Sequence, residues 1–385
     1  MRPILAIIVF AQFCCTSLWF AGNAVAADML QAIAVGPQYL GYLTGAVQAG
    51  FIAGTLFFSF MGIADRFAPS RVFFLCSVLG AACNILITLS GTGATGLLGG
   101  RMLTGFFLAG IYPVGMKIAS DYFREGLGRS LGFLVGALVL GTALPHLLKG
   151  VSLQLPWKFV LYATALLSLV GGLLMWWLVP AGPHRRAGIR LPGTAIWKPF
   201  SHKPFRAAAF GYFGHMWELY TFWAFVPVML AAYAARHTGV HFHIPLLSFT
   251  IIGFGAPACI LGGILSQTFG PENVARVTLA ASALCCLLWP LMFLQGSSVV
   301  FLGFLLLWGV SVIADSPMFS TLVAQRAPAE GRGTALTLVT CIGFAITIAS
   351  ILLLNTLSAH LSAVWLYWLL VAGPLFGLYS MYSNK

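Results

Sequence analysis

Glu218 stands in the stretch GHMWELYTFW (214–223) and is the only charged side chain between Ala207 and Ala235. A carboxylate at the middle of a membrane helix costs about 2.5–3.5 kcal/mol, so such a group turns toward the protein interior and usually has a task there. Burial favours the neutral form of an acid. A deep acid that meets water from one side and then the other is therefore suited to carrying a proton. His215 lies three residues before Glu218 and Thr221 three after, which puts all three on one face of a helix. A histidine and a glutamate so placed can share a proton or hold a solute's donor groups. A protonated acid binding two helices together is the plainer alternative.

The eight acids divide sharply. Asp65, Asp121, Glu125, Glu272 and Glu330 fall between apolar runs on one side, and Asp28 lies near the opposite surface. Only Glu218 and Asp315 are deep, and Asp315 adjoins Pro317. Arg101 sits just inside an apolar run, where it can polarise a proton acceptor or reach back to the interface. Glu218, Asp315, Arg101 and His215 form the candidate proton-coupling set. Aromatic residues crowd the same depth, and apolar walls with a few convergent polar groups make a ligand pocket. Trp19, Asn23, Tyr112, Trp217 and Thr221 are the candidate substrate-binding residues.

These groups need a frame, and the composition states which kind. Sixty per cent of the 385 residues are hydrophobic and 7% are charged, against about 25% charged in an average soluble domain. The chain reads as an all-α, polytopic membrane protein. A span takes about 20 apolar residues. With Pro, Gly and charged clusters as punctuation there are twelve: 4–27, 40–62, 71–90, 97–119, 128–149, 158–179, 206–233, 245–268, 274–294, 299–323, 334–354 and 363–382. The opening run is long enough to span and stay, so it is not read as a cleaved signal. Sixteen of the twenty Lys and Arg residues fall on the side of the two termini, whereas only Lys149, Lys158 and Arg236 lie opposite. That asymmetry predicts both termini in the cytoplasm, in a bacterial inner membrane. The net charge of +12 is thus a topology signal rather than a nucleic-acid surface.

The halves echo each other. MGIADRFAPSRV (61–72) and GILSQTFGPENV (263–274) follow spans two and eight; GRSLG (128–132) and GRGTA (331–335) open spans five and eleven. IYP (111–113) matches DSP (315–317), and Trp19 matches Trp217. The order is kept at nearly one offset, which predicts duplication into an N-terminal six-helix bundle (1–179), a cytoplasmic linker (180–205) and a C-terminal six-helix bundle (206–385). Pro113 and Pro317 each remove a helical hydrogen bond, so bends are expected there.

Twelve spans in two parallel halves, with the loop GIADRFAPSR (62–71), resemble the major facilitator superfamily over essentially the whole chain. Asp65 and Arg66 match its loop pattern, with Met61 and Ala68 in place of glycines and the last basic residue displaced to Arg71; Arg101 and Gly105 match its span-four pattern. The second copy of the loop shows Gln267 and Thr268 instead of a charged pair. The likeness extends loosely to the nitrate/nitrite and cyanate-type branch, although spans two and eight lack that branch's midspan arginines. The resemblance implies alternating access by rocking halves, with Asp65 facing the start of span eleven and Asp65, Arg66, Arg129 and Arg332 acting as a cytoplasmic latch. It implies a secondary transporter of a small solute. The absence of the Gly-Pro efflux pair from LGTALPHLL (140–148) tilts the expectation to proton symport over export of lipophilic compounds.

The small residues Gly41, Gly45, Gly50 and Gly54, and Gly128, Gly132 and Gly136, read as places of close helix approach. The eight cysteines show no metal or redox spacing and read as buried apolar residues. His237, His241 and His243 read as a solvated outer loop, not a metal site. No HExxH motif occurs, so the expectation is a non-enzyme without metal or cofactor, a monomer whose partners are a solute, protons and the bilayer.

Overall fold

A computed structural model describes residues 2–89, 91–123, 127–151, 155–184, 197–328 and 332–384. All regular elements among the described residues are helical, and eleven helices are long and apolar enough to cross a membrane, with a shorter apolar one at Ile4–Thr16. The chain divides into two compact units, Met1–Gly188 and Ile189–Lys385.

The first unit carries α1 (Arg2–Thr16), α2 (Ala21–Ala24), α3 (Ala26–Ala32), α4 (Tyr39–Met61), α5 (Ile63–Arg66) and α6 (Pro69–Leu86). These are followed by α7 (Ala94–Leu108), α8 (Tyr112–Tyr122), α9 (Leu127–Val151) and α10 (Lys158–Leu178). The expected first span, 4–27, is therefore not one helix. Thr16 and Ser17 turn their hydroxyls back to the carbonyls of Gln12 (2.8 Å) and Cys14 (2.7 Å). The helix stops at Thr16. Span four breaks where proline predicts: α7 ends at Leu108, and Pro113 sits in the first turn of α8, where a missing N–H costs nothing.

The second unit carries α11 (Lys203–Arg236), α12 (Ile244–Gly253), α13 (Gly255–Phe269), α14 (Pro271–Leu294) and α15 (Ser298–Ala314). It continues with α16 (Ser316–Arg326), α17 (Arg332–Leu357), α18 (Ala363–Leu366) and α19 (Ala372–Ser383). Pro317 opens α16 just as Pro113 opens α8, and span ten breaks at Asp315. Span eight also breaks, at Phe254, between two glycines rather than at a proline. At 34 residues α11 is about 51 Å long, beyond the ~30 Å hydrocarbon thickness.

The duplication is written into the packing. A Cβ on Gly105 would come within 2.0 Å of the Val47 carbonyl oxygen, and one on Gly309 within 2.4 Å of the Ile251 carbonyl oxygen. Both members of the second pair stand 204 residues after their counterparts in the first. Spans two and four thus touch backbone to backbone through the same device as spans eight and ten. Gly50 and Gly54 serve the first contact, against Met102 and Phe106. In span five the close approach is made by Gly141, against Thr16 and the Phe13 carbonyl.

Each unit carries charged ties that the sequence did not predict. Asp65 of α5 pairs with Lys117 of α8 at 2.7 Å, whereas Arg66 is exposed. In the second unit Glu272 of α14 pairs with both Arg326 of α16 and Arg276. The charged tie read as lost at Gln267 and Thr268 is present a few residues later. Arg129 and Arg332 fall in α9 and α17, but their side chains lie outside the described residues, as does most of the linker.

Candidate functional site: a buried acid pair and imidazole

Glu218, His215 and Asp315 are all buried, at 1%, 1% and 0% exposure. Glu218 projects from α11 toward α14 and α15. Its Oε1 accepts from Ser282 Oγ (2.5 Å), Trp308 Nε1 (2.5 Å) and Cys286 Sγ (3.2 Å). Three donors on one oxygen leave no room for a proton there, and its other oxygen, Oε2, is buried without a partner. A proton on Glu218 therefore belongs on Oε2.

His215 turns elsewhere. Its Nδ1 lies 2.8 Å from Asp315 Oδ1, although out of line for a full hydrogen bond. Asp315 is the residue at the α15–α16 break and immediately precedes α16. It stands at the first turn of that eleven-residue helix with the imidazole beside it. The two acids lie within electrostatic range of each other. One break in span ten thus brings a carboxylate to a histidine from span seven, one turn from a second carboxyl.

Thr221 goes to a third neighbour. Its hydroxyl pairs with Ser350 of α17 (2.8 Å), and Ser350 also donates to the Trp217 carbonyl (2.6 Å). The Trp217 indole points its N–H toward Leu369 O (3.5 Å). The shared helical face of His215, Glu218 and Thr221 therefore opens onto three partners instead of one.

In the first unit, Arg101 of α7 is fully buried and does not reach to the interface. Its Nη1 donates to Leu18 O (3.1 Å) and its Nη2 to Trp19 O. Those carbonyls lie just past the end of α1, where a cation is favoured. Arg101 thus splints the broken first span. Asn23 Nδ2 donates to Thr44 Oγ1 (2.7 Å). The Trp19 ring packs on Phe51 (4.8 Å between centroids) and edge-on against Tyr112 (6.4 Å).

A model of the Major Facilitator Superfamily matches residues 8–351. The chain belongs to the major facilitator superfamily. Solved structures agree on the fold. A proton:xylose symporter, XylE, solved with 6-bromo-6-deoxy-D-glucose, matches at TM-score 0.78 and 13% identity, over 99% of this chain and 96% of that one. The human organic anion transporter MFSD10 (TETRAN) matches at TM-score 0.71 and 16% identity, over 99% of both chains. No curated protein matches in sequence.

In this superfamily member the residues that sequence reasoning missed are the donors to Glu218. Ser282 and Cys286 are four apart and so share a face of α14, a polar stripe that a pattern search could have found. Trp308 gave no such signal, because one tryptophan among eleven reads as packing. His237 Nδ1 lies 3.0 Å from Tyr233 O and its ring stacks on Tyr233. Among the described residues no three His, Cys, Asp or Glu side chains gather as metal ligands.

Proposed function

We propose that this protein is a proton-coupled secondary active transporter that carries a small solute by alternating access, with symport as the direction of coupling. The observation that carries the reading is the buried set of two carboxyls and one imidazole, with one carboxyl oxygen, Glu218 Oε2, unpartnered. The set is electrically neutral when Asp315 is ionised, His215 is charged and Glu218 holds a proton. Loss of that proton leaves a net buried negative charge, which a nonpolar surround resists. Release therefore belongs to a state in which water reaches Glu218. A site opened to each side of the membrane in turn converts that preference into coupled movement.

The charge asymmetry of the loops supports termini in the cytoplasm of a bacterial inner-membrane protein, acting as a monomer. The looser likeness to nitrate/nitrite carriers stops at the motifs: spans two and eight hold no arginine to meet an inorganic anion. Proton-driven export of lipophilic compounds is a second reading, supported by the Trp19–Phe51–Tyr112 aromatic group. It predicts a resistance phenotype that vanishes in Glu218→Gln and Asp315→Asn.

Solute flux in proteoliposomes under an imposed pH gradient tests the main reading. Glu218→Gln is expected to abolish gradient-driven accumulation while leaving solute counterflow in place. Accumulation that survives in this variant ends the proposal.

A further inference from the structure

The first unit buries a second set of polar groups, and these carry no charge. Gln12 of α1 and Gln48 of α4 are both 0% exposed, and neither carboxamide has a partner for its nitrogen or its oxygen. Each amide offers two donors and one acceptor oxygen. In a membrane interior no lipid can satisfy them, and an unpaired buried amide is costly. Two such groups in one bundle call for a ligand.

Their positions bracket an aromatic surface. Gln48 lies one turn from Thr44, which meets Asn23, and three residues before Phe51, which packs on Trp19. It therefore stands on the α4 face that meets the broken first span. Gln12 lies on α8: its Oε1 is 2.1 Å from where a Cβ on Gly115 would stand. Gly115 is one turn beyond Tyr112, whose ring meets Trp19 edge-on. Along this strip an amide, the aromatic group and a second amide follow one another.

One cation lies buried beside this strip. Arg101 is the one buried lysine or arginine among the described residues. Its two terminal nitrogens donate to the carbonyls of Leu18 and Trp19, and its Nε is buried without a partner.

We infer that Gln12 and Gln48, on either side of the Trp19 aromatic group, bind a hydrogen-bonding solute through their neutral amides, one with a flat or apolar face, the class of polyols and heterocyclic amides. This rests on the transporter reading above and names the substrate class for it. The two amides supply paired donors and acceptors, and the indole covers the apolar face.

The test is thermal unfolding of the purified full chain with and without solutes. The neutral probes are D-xylose, myo-inositol, nicotinamide and uracil; lactate and benzoate are the anions. At saturation a neutral probe is expected to raise the wild-type melting temperature by about 3 °C or more. Gln48→Met and Gln12→Met, close in volume, should lose that shift and melt at or above wild type without solute, because methionine leaves no amide unpaired. Glu218→Gln should keep it. The inference is overturned if no neutral probe shifts the wild type, if only the anions do, if the shift survives in both glutamine variants, or if those variants melt well below wild type without solute. A neutral-solute shift in a protein whose uptake ignores a pH gradient would remove the proton reading and leave this one. Gradient-driven uptake without a neutral-solute shift would do the reverse.

Discussion

His215 Nδ1 stands 2.8 Å from Asp315 Oδ1, a hundred residues away in sequence, and both side chains are buried. The contact joins span seven to the break in span ten. A break is what allows it: the carboxyl sits at the open start of α16. Removing one partner from a buried polar contact leaves the other uncompensated, at a cost of about 1–3 kcal/mol. His215→Leu or Asp315→Leu alone is therefore expected to lower the melting temperature sharply. The double variant should recover much of that loss, and a double-mutant cycle on thermal unfolding reads the coupling. Additive losses would show that the two side chains do not act as a pair.

Trp308 and Ser282 hold the same oxygen of Glu218. Removing one donor from a buried acceptor costs about 1–3 kcal/mol. Trp308→Phe keeps most of the ring volume and deletes the N–H, so it should lower stability by that order and impair gradient-driven uptake. The comparison is with Trp289→Phe, whose N–H serves the Ala363 carbonyl instead (2.9 Å). Equal effects on uptake from the two substitutions would argue against a special place for Trp308.

Arg101 serves two carbonyls in a planar fork, a geometry lysine does not reproduce. Arg101→Lys should therefore behave like Arg101→Met, with lowered melting temperature and lost transport. Full activity in the lysine variant would mean that charge alone suffices and that the splint is dispensable.

Gly105 and Gly309 occupy equivalent places in the two units. Each faces backbone that cannot give way like a flexible side chain. Overpacking of this kind costs typically about 1–3 kcal/mol. Gly105→Ala and Gly309→Ala are expected to destabilise by similar amounts, as read by unfolding in detergent. A tolerated alanine at either site would break the equivalence of the two helix contacts.

What the sequence determined by itself is the frame. Apolar runs of fixed length, their basic flanks and the repeated loop specify the spans and the duplication, because the bilayer allows few solutions for a backbone that must satisfy its own hydrogen bonds. Proline marked the breaks at Pro113 and Pro317 in advance. It did not mark the break of the first span, where the helix stops at Thr16. Glu218, His215 and Asp315 were legible as rare charges at depth.

Their partners were not. Helical spacing put His215 and Glu218 on one face, yet the structure gives one to Asp315 and the other to Ser282, Cys286 and Trp308. Spacing along one helix tells which side chains share a face. Which neighbour each then meets depends on how several helices pack around it, and that information lies in no single stretch of the chain. Gln12 and Gln48 make the same point from the other side: as residues they are ordinary, and only burial without a partner marks them.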